Sequence, residues 1–217
     1  MLERGFNCKI LIYDKYKDLL KKDIYELIIL EIMNHSTKVF PEEYKQIKEQ
    51  SNNESDFVSN SNAMFDAKLL FYKKQCEALA VNKDNLTSFM NGIKNETYDI
   101  SNAIENGDIK AVRECIFYKE MKKEIEKAKD GENIILFLPY AFTLEFKDSI
   151  TSSFASDIFS YIYRVLKKDY PELYRNNCIY MIYINFLNEI IIKNLSKNII
   201  EFLELDVFNN YIGFEIK

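Results

Sequence analysis

From Asn133 onward the chain passes through short runs rich in β-branched and aromatic residues. They are Asn133-Ile-Ile-Leu-Phe-Leu-Pro-Tyr140, Cys178-Ile-Tyr-Met-Ile-Tyr-Ile184, Glu189-Ile-Ile-Ile-Lys193 and Tyr211-Ile-Gly-Phe-Glu-Ile-Lys217. Asn and Asp break them, as turn residues break strands. Between the first two runs, Ser152 or Ser153 opens a segment to Lys168 with Phe154, Ile158, Tyr161, Ile162 and Val165 at helical spacing. A chain with these features is expected to place a helix on an antiparallel sheet. Pro139 suggests a bulge or an edge position in the first strand. Ile199 to Leu205 reads equally as a strand or a helical turn.

The region upstream reads mainly as helix. A strand over Phe6–Tyr13 precedes a helix capped by Asp14, with Tyr16, Leu20, Ile24, Leu27, Ile28 and Ile32 on one stripe. A short helix is expected over Pro41–Gln50 and a longer one over Ala63–Ala80. Asn106-Gly107 marks a stop, and Asp108 caps a helix running to Lys129-Asp-Gly131. The expected class is α+β: an N-terminal helical part, then a helix packed on a C-terminal, mainly antiparallel sheet. The expected divisions are a strand/helix segment at 1–50, a polar linker or loop at 51–62, a helical region at 63–131 and the helix-on-sheet region at 132–217. The last two are also readable as one domain.

Composition excludes several functions. Only five glycines and three prolines stand against 15 tyrosines and 16 phenylalanines, which favours regular, packed elements over disorder. The net charge of −5 is spread along the chain, so general nucleic-acid binding is not expected. Cys8, Cys76, Cys115 and Cys178 lie far apart and read as free thiols without a zinc or thioredoxin pattern. No apolar run has the length of a membrane span, and the first residues lack a signal-peptide core, so a cytoplasmic protein is expected. The single histidine, His35, follows a helix and reads as a C-terminal partner of its dipole.

Two features carry functional expectations. Tyr161, Tyr163, Tyr170, Tyr174, Tyr180 and Tyr183 crowd the C-terminal half, and each hydroxyl needs a partner. They point to a non-enzymatic interaction or regulatory protein that binds another protein or a second copy of itself, with no cofactor. The missing catalytic constellations also weigh against an enzyme.

The other feature is Asp130 followed by Glu145-Phe-Lys147. It resembles, in its barest form, the pattern of a large class of metal-dependent nucleases. In that class spaced carboxylates and a Glu-x-Lys on a strand hold Mg²⁺ and its water, with a hairpin between the acid and the Glu-x-Lys. The resemblance implies an alternative function as a metal-dependent nuclease or phosphodiesterase using Asp130, Glu145 and Lys147. Mg²⁺ or Mn²⁺ would sit on Asp130 and Glu145, because hard cations take oxygen ligands. A second alternative is a small-molecule sensor with an aromatic-lined cavity between helices and sheet.

Overall fold

A computed structural model of the chain describes residues 8–12, 21–47, 55–71, 99–127, 129–139, 152–174, 177–184, 189–204 and 212–216. In chain order the strands are β1 (Cys8–Ile12), β2 (Tyr44–Gln46), β3 (Phe57–Ser59), β4 (Met64–Leu69), β5 (Asn133–Pro139), β6 (Ile179–Ile184), β7 (Glu189–Asn194), β8 (Ile199–Glu204) and β9 (Ile212–Ile216). The helices are α1 (Lys21–His35), α2 (Ile109–Glu114), α3 (Ile116–Ile125) and α4 (Ser152–Asp169). Residues 99–105 are also helical, and Pro171–Tyr174 forms a 3-10 turn. No described helix is long and apolar enough to cross a membrane.

Seven strands form one mixed sheet in the order β2-β3-β4-β5-β6-β7-β8, and β1 pairs antiparallel with β9 separately. The three central strands β4, β5 and β6 run parallel, and antiparallel hairpins extend the sheet on both sides. The parallel centre explains the unbroken apolar runs of β5 and β6, because such strands are covered on both faces. On one face α1 packs Ile28, Ile29 and Ile32 against Phe57, Phe65, Phe137 and Ile182. On the other, Phe117, Met121, Phe159 and Ile162 cover Ile134, Leu136, Met181 and Ile191. Both crossovers, β4 to β5 and β5 to β6, step in the same direction across the sheet. Right-handed connections then place their helices on the same face.

Several local expectations change. The helix expected over Pro41–Gln50 is replaced by β2, and the segment 51–62 carries β3 instead of only linker. The helix expected over Ala63–Ala80 begins as strand β4, with Phe65, Ala67 and Leu69 turned to the core. Phe65 and Leu69, four residues apart, fit a helix stripe and a strand face equally. Pro139 is the last residue of a central strand, not a bulge or edge position. It pairs with Ile184. The sheet expected to be mainly antiparallel is antiparallel in four of its six pairings but has a parallel centre, and Ile199–Glu204 is a strand. The helix after Asp108 is two helices. Cys115 is extended (φ −65°, ψ 153°), and its Sγ accepts a bond from the Tyr118 N–H at 3.3 Å, capping α3.

Candidate functional site

The tyrosines divide by position. Tyr163, Tyr174, Tyr180 and Tyr183 are buried in this chain's own core, while Tyr161 and Tyr170 are half-buried. The Tyr163 hydroxyl meets Ser196 Oγ at 3.1 Å. Lys122 Nζ lies 4.2 Å from the Tyr170 ring centre, and the Arg164 guanidinium lies 5.5 Å from that of Tyr161. His35 is exposed, its Nδ1–H donating to the Glu31 carbonyl at 2.8 Å, one turn back. Asp130 is exposed in the turn before β5, and Glu145 and Lys147 lie outside the described residues. Of the thiols, Cys115 is buried and Cys178 half-buried, and neither is in a disulfide.

A different acidic pair comes together on the β3–β4 hairpin. The two strands pair through Phe57 with Phe65 and Val58 with Met64. Asp56 sits in the bend just before β3, and Asp66 follows Phe65 on β4. The turn between them is Asn60-Ser-Asn62, with Asn62 in the left-handed region (φ 63°), where Asn is well tolerated. Past the end of the β3–β4 pairing, Asp56 Oδ2 accepts the Ala67 N–H at 2.7 Å. The Asp56 carbonyl accepts the Ile47 N–H at 3.0 Å, tying the residue to the end of β2. Asp56 is buried. Asp66 and Lys68 lie on the face of β4 opposite α1, because Phe65, Ala67 and Leu69 take the α1 face. Lys68 Nζ forms an ion pair with Asp66 Oδ2.

The Asp56 carboxyl also lies close enough to Asp66 to help raise its pKa. A carboxylate beside another carboxyl disfavours its charged form, since like charges repel. Burial is the main force that pushes the Asp66 carboxyl up, to about 6, and Asp56 adds to it against the pull of Lys68. Like charges held near each other away from water are unfavourable, so the arrangement works against folding. Perturbed carboxyls beside a specific charge are a mark of functional sites.

The chemistry of this donor set fits Mg²⁺ or Mn²⁺. Among the described residues no group of three or more His, Cys, Asp or Glu side chains gathers as a metal cage. Mg²⁺ does not need one. It is commonly held by one or two carboxylates, with waters and substrate phosphate oxygens completing the octahedron. Asp56 and Asp66 supply two oxygen-donor side chains, and a cation between them relieves their repulsion. The pattern expected from the sequence at Asp130, Glu145 and Lys147 is an acid, a hairpin and a Glu-x-Lys on a strand. Asp56 in the bend before β3, the β3–β4 hairpin and Asp66-Ala-Lys68 on β4 resemble it, with Asp in place of Glu. The signal available in the sequence was Asp66-Ala-Lys68, preceded by a Ser- and Asn-rich turn and by Asp56. Compared with known protein families, curated proteins and solved structures, the chain matches none.

Proposed function

We propose that the chain is a metal-dependent phosphodiesterase acting on nucleic acid, with Asp56 and Asp66 holding the cation and Lys68 serving the phosphate. One observation carries the reading: Asp56, in the bend that enters a tight hairpin, neighbours the Asp of an Asp-x-Lys on β4 and accepts the N–H of the residue between that Asp and Lys. Asp56 and Asp66 would hold a divalent cation, which would supply Lewis-acid polarisation of the phosphodiester and a water acidic enough to attack near neutral pH. Asp56 is pre-oriented for this role by the Ala67 N–H, which fixes one of its two oxygens. Lys68, two residues along the same face of β4, offers its ammonium to the charge that grows on the phosphate oxygens. The net charge of −5 gives the chain little attraction for nucleic acid at large, so capture depends on the cation and on contacts at this site. The alternative of an interaction protein keeps Tyr161 and Tyr170 as its half-buried surface tyrosines, and no specific contact favours it over the hairpin site.

Calorimetric titration with Mn²⁺, paired with cleavage assays on single- and double-stranded DNA and RNA, tests the proposal. The expected result is binding and cleavage by the unaltered chain, with both lost in Asp56→Asn and Asp66→Asn. Lys68→Ala is expected to keep cation binding and lose turnover. A folded chain that takes up no Mn²⁺ at millimolar concentration refutes it.

A further inference from the structure

One buried carboxylate near this hairpin has no role in the chemistry above. Glu132 immediately precedes β5, and Ser55 immediately precedes Asp56. Both are buried, at 7% and 6% exposure. Ser55 Oγ donates to Glu132 Oε1, and the Lys129 N–H donates to Oε2 at 3.2 Å. In the sheet β4 lies between β3 and β5, so this bond joins the chain on the two sides of the strand that carries Asp66 and Lys68. Withdrawing a glutamate from water is unfavourable unless its bonds compensate. A latch of this kind therefore buys more than simple closure of the turn before β5.

We infer that Glu132 is a positioning residue for Asp56, acting through Ser55; the inference rests on the reading of Asp56 as a cation ligand. Asp56 is then held from three strands. Ile47, at the end of β2, binds its backbone carbonyl, Ala67 on β4 binds its carboxylate, and Glu132, at the start of β5, anchors the residue before it. Without the latch, the chain entering β3 loses its tie to β5 and the Asp56 carboxylate drifts from its place beside Asp66. Outer partners that orient ligand side chains typically contribute about 10–100-fold to metal affinity. Ser55→Ala and Glu132→Ala break the bond. Ser55→Thr keeps the hydroxyl, and Glu132→Gln keeps an oxygen to accept it.

Two readouts separate the possibilities. The first needs no metal: hydrogen exchange of the Ala67 amide, whose N–H reports directly on Asp56 Oδ2. Ser55→Ala and Glu132→Ala are expected to speed that exchange about tenfold relative to the other β4 amides, and Ser55→Thr and Glu132→Gln to restore it. The second is the Mn²⁺ dissociation constant by calorimetry, expected to weaken about tenfold in the Ala variants and to recover in Thr and Gln. Ala variants that lower unfolding stability but leave both readouts unchanged overturn the positioning role. If the unaltered chain binds no Mn²⁺ while the Ala67 amide still responds, the metal reading fails and the positioning of Asp56 stands.

Discussion

Replacing Asp66 by asparagine isolates what the paired carboxyls cost the fold. The Asp66 carboxyl titrates at about 6 in the folded chain against an ordinary 3.8, chiefly because it is buried and secondarily because Asp56 faces it. Between those two values the folded chain holds a proton that the unfolded chain has released. Stability from this group is therefore full below about 3.8 and is lost as pH rises through about 6. At pH 7.5 the ionised side chain, only 15% exposed, then costs on the order of 3 kcal/mol, at about 1.4 kcal/mol per pK unit. Asparagine has nearly the same shape and no charge, so it mimics the protonated form at every pH. The expected result is equal unfolding free energies near pH 4 and a variant more stable by on the order of 3 kcal/mol near pH 7.5. The chain has no tryptophan, so urea unfolding is followed by far-ultraviolet circular dichroism. Mn²⁺ at about 100 times its dissociation constant should return about 2.7 kcal/mol to the unaltered chain and nothing to the variant. A variant no more stable than the parent at pH 7.5, or a difference that is the same at both pH values, refutes the reasoning.

Three further predictions concern the frame around the site. Glu201→Ala should lower unfolding free energy by about 3 kcal/mol, because it strips a buried acceptor from Ser36 and the N–H groups of Thr37, Lys38 and Val39. Burial pushes Glu201 up, but these bonds outweigh it and hold the carboxyl at about 2 against 4.5, so its contribution is present above about 4.5 and lost as pH falls toward about 2, which acid unfolding of the parent and the variant checks. Gly107→Ala should cost about 1 kcal/mol by denaturant unfolding, from backbone strain alone, since φ is +67° and an added Cβ meets nothing within 4 Å. Phe137→Ala empties a fully buried place on the α1 face of β5 and should cost about 3–5 kcal/mol in the same assay.

The parts legible in the sequence are those whose signal is local and unambiguous. Gly107 ends the helical residues 99–105 and their turn, and Asp108 caps the next helix, its Oδ1 accepting the Ala111 N–H at 3.0 Å, as the Asn-Gly-Asp string implies. The strands β5, β6, β7 and β9 fall on the apolar runs read as strands. The break at Cys115 was not legible, because Arg113-Glu-Cys-Ile116 contains neither Gly nor Pro and the turn is made by a thiol cap. The candidate site was hidden by a period error. With Ala63–Ala80 assigned to a helix and 51–62 to a linker or loop, nothing in the pattern set Asp66 and Lys68 on a strand beside Asp56. Short apolar spacings of four do not separate strand from helix. The small Ala67 between Phe65 and Leu69, completing the alternation, was the available discriminator.

Comparison of the chain's own acidic side chains argues for the hairpin as the site. Glu201 is surrounded by donors, each of its oxygens accepting hydroxyl and backbone bonds, so its charge strengthens the fold. Glu124 pairs with Lys123 at 3.1 Å and with Lys127 at 2.6 Å, and Glu120 pairs with Lys123 while accepting the Phe71 N–H. Those carboxylates have the environment that structural acids need: opposite charge or directed donors. Asp66 has in addition a like group near enough to raise its pKa, which a structural role does not require and which a leucine or asparagine would avoid. The feature that makes this pair unfavourable in the metal-free fold is the one that the proposed divalent-cation site would use. Binding that relieves the repulsion between the two carboxylates returns the cost to the fold, so cation affinity and metal-free stability are expected to move in opposite directions at these two positions.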